Sequence, residues 1–320
     1  MEIGKRNYTF DFARSFCVLW IVGFWHLLNY LPVELRLDDA VQQVCKQITM
    51  GILACFTFLS GYFLKKYEFN SKDDVLYFYK KRFWRFYPLF ALAIVSMVLC
   101  GSSIKQVVIA LFGLSMIIPP PIKTLWYFSM IILFYFLTPG LKLRVGGAFY
   151  KTNIPRLCLI LVVLVGGYYC ADIRLVYYFP FYVLGLNLKN SVVEKLMSPY
   201  TLVAAILLFV GISFLYTEHI LLMFVQECSV VVAILTISKL AYNEKIQRPV
   251  SFIAEASMCA YLFHRSFYTM VLILIRKFTE YEYMSPFVAL LSLVMLFVVA
   301  YFVQTFYNKT VVRKIKITRK

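Results

Sequence analysis

Long uncharged stretches recur along the chain, each bounded by charged or turn-forming residues. They fall near 12–32, 47–64, 86–101, 125–139, 157–171, 175–188, 200–217, 219–238, 251–274 and 285–307. Their polar residues do not alternate every second position, which argues against the strands of a transmembrane barrel. They read instead as helices meant to cross a hydrocarbon core of ~30 Å, a task that takes about 20 apolar residues. One further apolar run, 107–118, ends at Pro119-Pro120-Pro121 after twelve residues. At ~1.5 Å per residue it would reach only ~18 Å, so it is placed as a half-inserted or interfacial helix. The pattern predicts an all-α, polytopic transmembrane helical bundle of about ten spans.

Composition sharpens this. The 320 residues are 62% apolar and 15% charged, against about 45–50% and 25% in globular chains. A soluble enzyme, a secreted disulfide scaffold and a disordered chain are excluded. The eight cysteines are scattered, mostly within apolar runs, with no C-x-x-C pair, so they read as small core residues and no metal site is expected. The first apolar run carries Arg14 and His26 and shows no small-residue cleavage signal, which makes it a retained span.

A net charge of +17 would suggest nucleic acid on a soluble protein. Here the basic residues flank apolar runs, so they set membrane orientation and no nucleic acid is expected. With 107–118 not spanning, 24 of the 33 Lys and Arg lie in segments on the side of the N-terminus and seven on the other. Such a split places both termini in the cytoplasm. The brief loops and the basic stub after 308 leave one integral membrane domain over 1–320 and no room for an appended soluble domain.

Ionisable side chains inside a bilayer cost at least ~2.5–3.5 kcal/mol each, so those present are functional candidates. They are Asp11 and Arg14 at the start of the first run, His26 within it, Glu227 in the eighth, and Glu255, His264 and Arg265 in the ninth. His26 reads either as a packed interhelical contact or as a general base, since an imidazole takes a hydroxyl proton without first having to ionise. His264 reads as a packed histidine beside an arginine that snorkels or pairs with Glu227, or as part of a site. Lys80-Lys81-Arg82-Phe83-Trp84-Arg85 enters the third run. Arg82 and Arg85, at i and i+3, share a helix face and suit a polyanionic phosphate group; plain membrane anchoring is the competing reading.

Several motifs then occur in a telling order. Phe10-Asp11-Phe12-Ala13-Arg14 is followed by His26. Thr57-Phe58-Leu59-Ser60-Gly61-Tyr62-Phe63-Leu64 closes the second run. Arg82-x-x-Arg85 precedes Tyr87-Pro88, and Leu125-Trp126-Tyr127-Phe128 leads to Tyr135 and Pro139. Ser257 is followed by Tyr261 and His264. Together they resemble the acyltransferase-3 family of integral membrane acyltransferases, which acetylate surface glycans and related acceptors.

The resemblance implies an acyl-CoA-dependent O-acyltransferase of the cell (plasma or inner) membrane. Its donor would be cytoplasmic acetyl-CoA or another short acyl-CoA, its acceptor a hydroxyl of an envelope glycan or lipid-linked saccharide. His26 and Arg14 would be catalytic, with His26 deprotonating the acceptor or first relaying the acyl group. Arg82 and Arg85 would hold the donor's phosphates, with Ser60, Trp126, Tyr127, Glu227, Tyr261 and His264 around the substrates. Membrane lipid surrounds such a protein, and a separate acceptor-side protein is a candidate partner. The rival class is a proton-coupled transporter or flippase using His26, Glu227 and His264; it predicts an internal repeat, and none is found.

One departure bears on geometry. The family's motif has ten residues between Arg and His, and here Ser15 to Trp25 makes eleven. Twelve positions at ~100° each leave the pair ~120° apart on a regular helix, against ~20° for eleven positions. Either a π-bulge near Gly23 absorbs one residue or Arg14 points elsewhere.

Overall fold

In the computed structural model, residues 7–142, 154–215 and 219–313 are described. They contain twelve α-helices and no strand. Lys5, Arg6, Arg144, Lys151, Lys314, Lys316, Arg319 and Lys320, which entered the charge count, lie outside the described residues.

Each apolar run becomes a helix, and several begin on residues chosen to satisfy free backbone donors. α1 is Tyr8–Val18, with the Asn7 side chain accepting from the Phe10 amide. A π turn, Leu19–Trp25, and a 3₁₀ turn, Leu27–Tyr30, continue it. α2 is Asp39–Leu64. α3, Lys72–Ser96, starts on a reciprocal Ser71–Asp74 capping box. α4 is only Ile104–Leu111; Gly113, at φ 73°, turns the chain away in a left-handed conformation that suits glycine. The run 107–118 therefore holds one short helix, as its length implied.

The remaining helices are α5 (Trp126–Lys142), α6 (Ile154–Cys170), α7 (Arg174–Asn187), α8 (Asn190–Leu196), α9 (Pro199–Leu215), α10 (Ile220–Leu240), α11 (Gln247–Phe278) and α12 (Pro286–Tyr307). Among the described residues, six helical stretches are long and apolar enough to cross a membrane: 8–30, 39–64, 72–100, 220–240, 244–278 and 286–312. α8 and α9 add a seventh if taken together across their 70° bend. α5, α6 and α7, expected as spans, are helices of 17, 17 and 14 residues. As described, α5 and α6 stand at the lower end of the about 17–25 residues a crossing takes, and α7 lies below it.

The chain divides into two compact units, residues 1–59 with 187–305 and residues 60–186 with 306–320. In the first, α1 packs along α11 and α10, and α9 packs on α10. A Cβ on Gly51 would stand 2.4 Å from that of Val230, so α2 reaches α10 only because position 51 is bare. In the second unit α3 packs on α4 and α5, and α5 on α6. A Cβ on Gly61 would lie 2.3 Å from the Tyr182 carbonyl oxygen. The Ser60-Gly61 pair thus lets α2 meet the backbone of α7, as small residues do between membrane helices.

Candidate active site

The first unit carries a line of polar side chains between α1 and α11. Arg14 Nη2 donates to Ser257 Oγ at 3.0 Å, and Ser257 Oγ donates to the Ala254 carbonyl at 2.8 Å. Asp11, mostly buried, sits one turn before Arg14 with a carboxylate oxygen 3.9 Å from its guanidinium. Seven residues further along α11, Nε2 of His264 lies 2.7 Å from Nδ1 of His26. The two rings are within 2° of parallel, their centroids 4.8 Å apart. His264 Nδ1 is 2.7 Å from the Tyr261 carbonyl oxygen. His264 is 0% exposed, whereas His26 keeps part of its surface accessible.

The eleven-residue spacing is accommodated by the π turn of Leu19–Trp25, which ends as the His26 amide donates to the Ile21 carbonyl five residues back, at 2.9 Å. A π turn absorbs one extra residue, and removing ~100° from the ~120° offset returns Arg14 and His26 to one face. Three neighbours hold the widened turn. Trp20 Nε1 donates to Thr49 Oγ1 of α2 at 3.0 Å, the Tyr268 hydroxyl of α11 donates to the Val22 carbonyl at 3.3 Å, and Gly23 faces the Leu293 side chain of α12. The Tyr30 hydroxyl reaches the Arg265 carbonyl at 3.2 Å and the Thr269 hydroxyl at 3.2 Å, pinning the end of the segment to α11.

Glu227 of α10 is not part of this line by any hydrogen bond or ion pair. It is 4% exposed, and its Oε1 has no hydrogen-bond partner. The Nε of Arg265 is likewise buried and unpartnered, so the ion pair expected as one alternative for these two residues does not form. Tyr261 is buried, its ring edge-on to His264 at 5.8 Å; its hydrogen bond to His264 runs through the backbone carbonyl.

The second unit holds the basic cluster. Arg82 is half-buried, its guanidinium carbon 5.4 Å from the Tyr67 ring centroid, 5.5 Å from Phe78 and 5.4 Å from Tyr135. Its Nε is buried without a hydrogen-bond partner. Three rings around a guanidinium hold it by cation–π attraction. Arg85, one turn on, is exposed, with its guanidinium 5.5 Å from the Phe86 ring. The spacing placed both arginines on one face; the structure gives them different surroundings.

The loop over Arg82 is tied down by Lys142 at the end of α5. Its ammonium donates to the Leu64 carbonyl at 3.2 Å and also to those of Lys65 and Tyr67, satisfying carbonyls left over where α2 ends. Lys81 Nζ donates to the Tyr67 hydroxyl at 3.1 Å. Burial raises the Tyr67 phenol's tendency to stay neutral, but Arg82, the Lys81 hydrogen bond and the charges of Lys81 and Lys66 outweigh it and bring its pKa below the usual range. A cavity of about 150 Å³ opens beside this loop, lined in part by Lys65, Tyr67, Asn70 and Lys142.

Tyr67 was not visible as a site residue in the sequence, since a tyrosine in a polar loop carries no periodic signal. Tyr135 stood in a motif without a role. Trp126 and Tyr127 lie at the opposite end of α5 from Lys142. The guanidinium of Arg174 covers Trp126 at 4.1 Å and Tyr178 stacks on it at 6.0 Å, while Tyr127 is buried. Ser60 is half-buried in α2.

The described chain thus combines several helices long and apolar enough to cross a membrane, a buried Arg–His line and a basic aromatic cluster. The family model described as "Acyltransferase domain" matches residues 7–305, and the chain belongs to that family, acyltransferase-3. Comparison with curated proteins and with solved structures returns no match.

Proposed function

We propose that this protein is an acyl-CoA-dependent O-acyltransferase of the cell (inner) membrane. It has about ten spans with both termini cytoplasmic, and moves an acetyl or other short acyl group from cytoplasmic acyl-CoA to a hydroxyl of an envelope glycan or lipid-linked saccharide. The observation that carries the reading is the π turn: it brings Arg14 and His26 onto one line along α11, with His26 hydrogen-bonded at 2.7 Å to a fully buried histidine. A widened turn costs regular hydrogen bonding and is found frequently at functional sites.

The acceptor hydroxyl gives its proton to His26 as its oxygen attacks the thioester carbonyl. The C–O bond forms, the C–S bond breaks, and the proton is returned to the leaving thiolate, so that atoms and charge balance. Arg14 meets α11 seven residues, about 10 Å, from the His26 contact, so its positive charge acts on the donor's phosphates, where a water-poor setting strengthens the effect. Arg85 and Arg82 bind the donor's phosphates, for which forked guanidiniums are well suited.

The test is transfer from acetyl-CoA labelled in the acetyl group, with purified protein in nanodiscs and envelope glycans as acceptors. Label is expected to leave CoA with the wild type and to slow by about 10²–10⁴-fold in His26→Ala, with donor binding retained. Donor binding that is absent in the wild type, or transfer indifferent to His26, overturns the reading.

A further inference from the structure

His264 dictates which nitrogen of His26 is available for chemistry. Nδ1 of His264 lies 2.7 Å from the Tyr261 carbonyl oxygen. A carbonyl only accepts, so this nitrogen carries hydrogen, and in a neutral imidazole the other nitrogen is then a lone pair. That lone pair, on Nε2, is 2.7 Å from Nδ1 of His26. Two lone pairs cannot meet at that distance, so His26 carries its hydrogen on Nδ1 and is bare at Nε2. The rings are parallel within 2° and their centroids 4.8 Å apart, close to the about 5 Å of imidazoles joined end to end in one plane, the arrangement an N–H···N bond needs.

We propose that His264 is a positioning residue that locks the tautomer of His26, making His26 Nε2 the one nitrogen of the pair that takes the acceptor's proton. This rests on the acyltransferase reading above. Adding one proton to the pair leads to the same place by either route. If it stays on His26, that ring holds hydrogen on both nitrogens. If the bridging hydrogen moves across the 2.7 Å contact, His264 becomes the cation, and His26 again keeps hydrogen on Nε2. In both forms the incoming proton entered at Nε2, and the charge is shared over two rings.

The surroundings explain why the lock holds. His264 is 0% exposed, so water does not compete for its nitrogens. Tyr261 and Tyr268 stand edge-on to its ring at 5.8 Å and 6.2 Å, which fixes its rotation. Without the lock, His26 would populate both tautomers, one of them presenting an N–H where a base is needed. Changing the orienting aspartate of the serine-protease triad to an amide costs about 10⁴-fold through such a tautomer error. Here the orienting group is a second imidazole backed by a peptide carbonyl.

The test combines a spectrum with kinetics. The chain has three histidines, so ¹⁵N-histidine labelling and solid-state NMR in lipid can resolve each ring, with His264→Leu and His26→Ala giving the assignments. The wild type is expected to show His26 protonated on Nδ1 and bare on Nε2, and His264→Leu to show mixed tautomers. In transfer assays His264→Leu should lower kcat by about 10²–10⁴-fold with the KM for donor unchanged. His264→Glu, whose ionised carboxylate can only accept from His26 Nδ1, should recover kcat to within about tenfold of wild type, whereas His264→Gln, whose amide can present its NH2 as well as its oxygen, should leave the tautomers mixed. A bare Nδ1 on wild-type His26, or a normal kcat in His264→Leu, overturns the lock while leaving the transferase reading intact. Absence of any wild-type transfer overturns that reading, and the NMR result then judges the tautomer by itself.

Discussion

Arg14 and His26 stand twelve positions apart on one segment, yet both meet α11, at Ser257 and His264 seven residues apart. A straight α-helix could not make both contacts. The π turn between them supplies the missing rotation, and its partners Thr49, Tyr268 and Leu293 come from three different helices. The register of this pair is therefore a property of the packed unit.

Changes in chain length within this turn are expected to act asymmetrically. Inserting one alanine between Val22 and Gly23 adds ~100° of rotation and should abolish transfer. Deleting Leu19, which is 37% exposed, lets the segment relax to a regular α-helix with the shorter spacing. It should retain measurable transfer. Labelled-acetyl transfer by both variants, with thermal stability as the control for folding, checks this.

The two arginines of α3 are expected to separate. Arg85 is exposed, so Arg85→Ala should leave stability near wild type and weaken donor affinity about 10–100-fold, the worth of one charged hydrogen bond of ~1.5–3 kcal/mol. Arg82 sits among three rings. Arg82→Lys should weaken donor binding although charge is kept, because a lysine lacks the planar fork and stacks differently. Calorimetric titration with acetyl-CoA distinguishes the two.

Gly61→Ala places a methyl group 2.3 Å from the Tyr182 carbonyl oxygen. Backbone cannot yield as a flexible side chain can, and overpacking of this kind costs ~1–3 kcal/mol. A lower midpoint of thermal unfolding in detergent is expected. The neighbouring Ser60→Ala, which adds no bulk, should have the smaller effect.

Asp172, in the loop between α6 and α7, accepts from Arg174 Nε at 2.7 Å. Burial raises its carboxyl, but the hydrogen bonds from the Arg174 side chain and amide, with that residue's charge, prevail and hold it below its ordinary 3.8. A depressed carboxyl favours the folded state once pH is above its unfolded value. That contribution is lost as pH falls from about 4 through the lower folded value. Asp172→Asn should flatten the acid limb of the stability profile while leaving the rest of the curve in shape, as followed by thermal unfolding across pH.

Local information carried far in this chain. The apolar runs marked where helices form, because burying a backbone in lipid leaves helix as the economical way to satisfy every N–H and C=O. The short run before Pro119 read correctly as too brief to cross. The ordered motifs, from Arg14 and His26 to Tyr261 and His264, were enough to indicate the family. The same reading left the Arg14–His26 register open, since a π turn is stabilised by packing from helices remote in the chain and leaves no periodic trace. The His26–His264 bond joins residues 238 positions apart, and Tyr67 meets Arg82 on a loop that Lys142 of α5 holds at the end of α2. Hydrophobic spacing reports which residues leave water. Which polar groups then meet depends on helix rotation and close approach, and those are decided by bare glycines, widened turns and capped ends once the helices are packed.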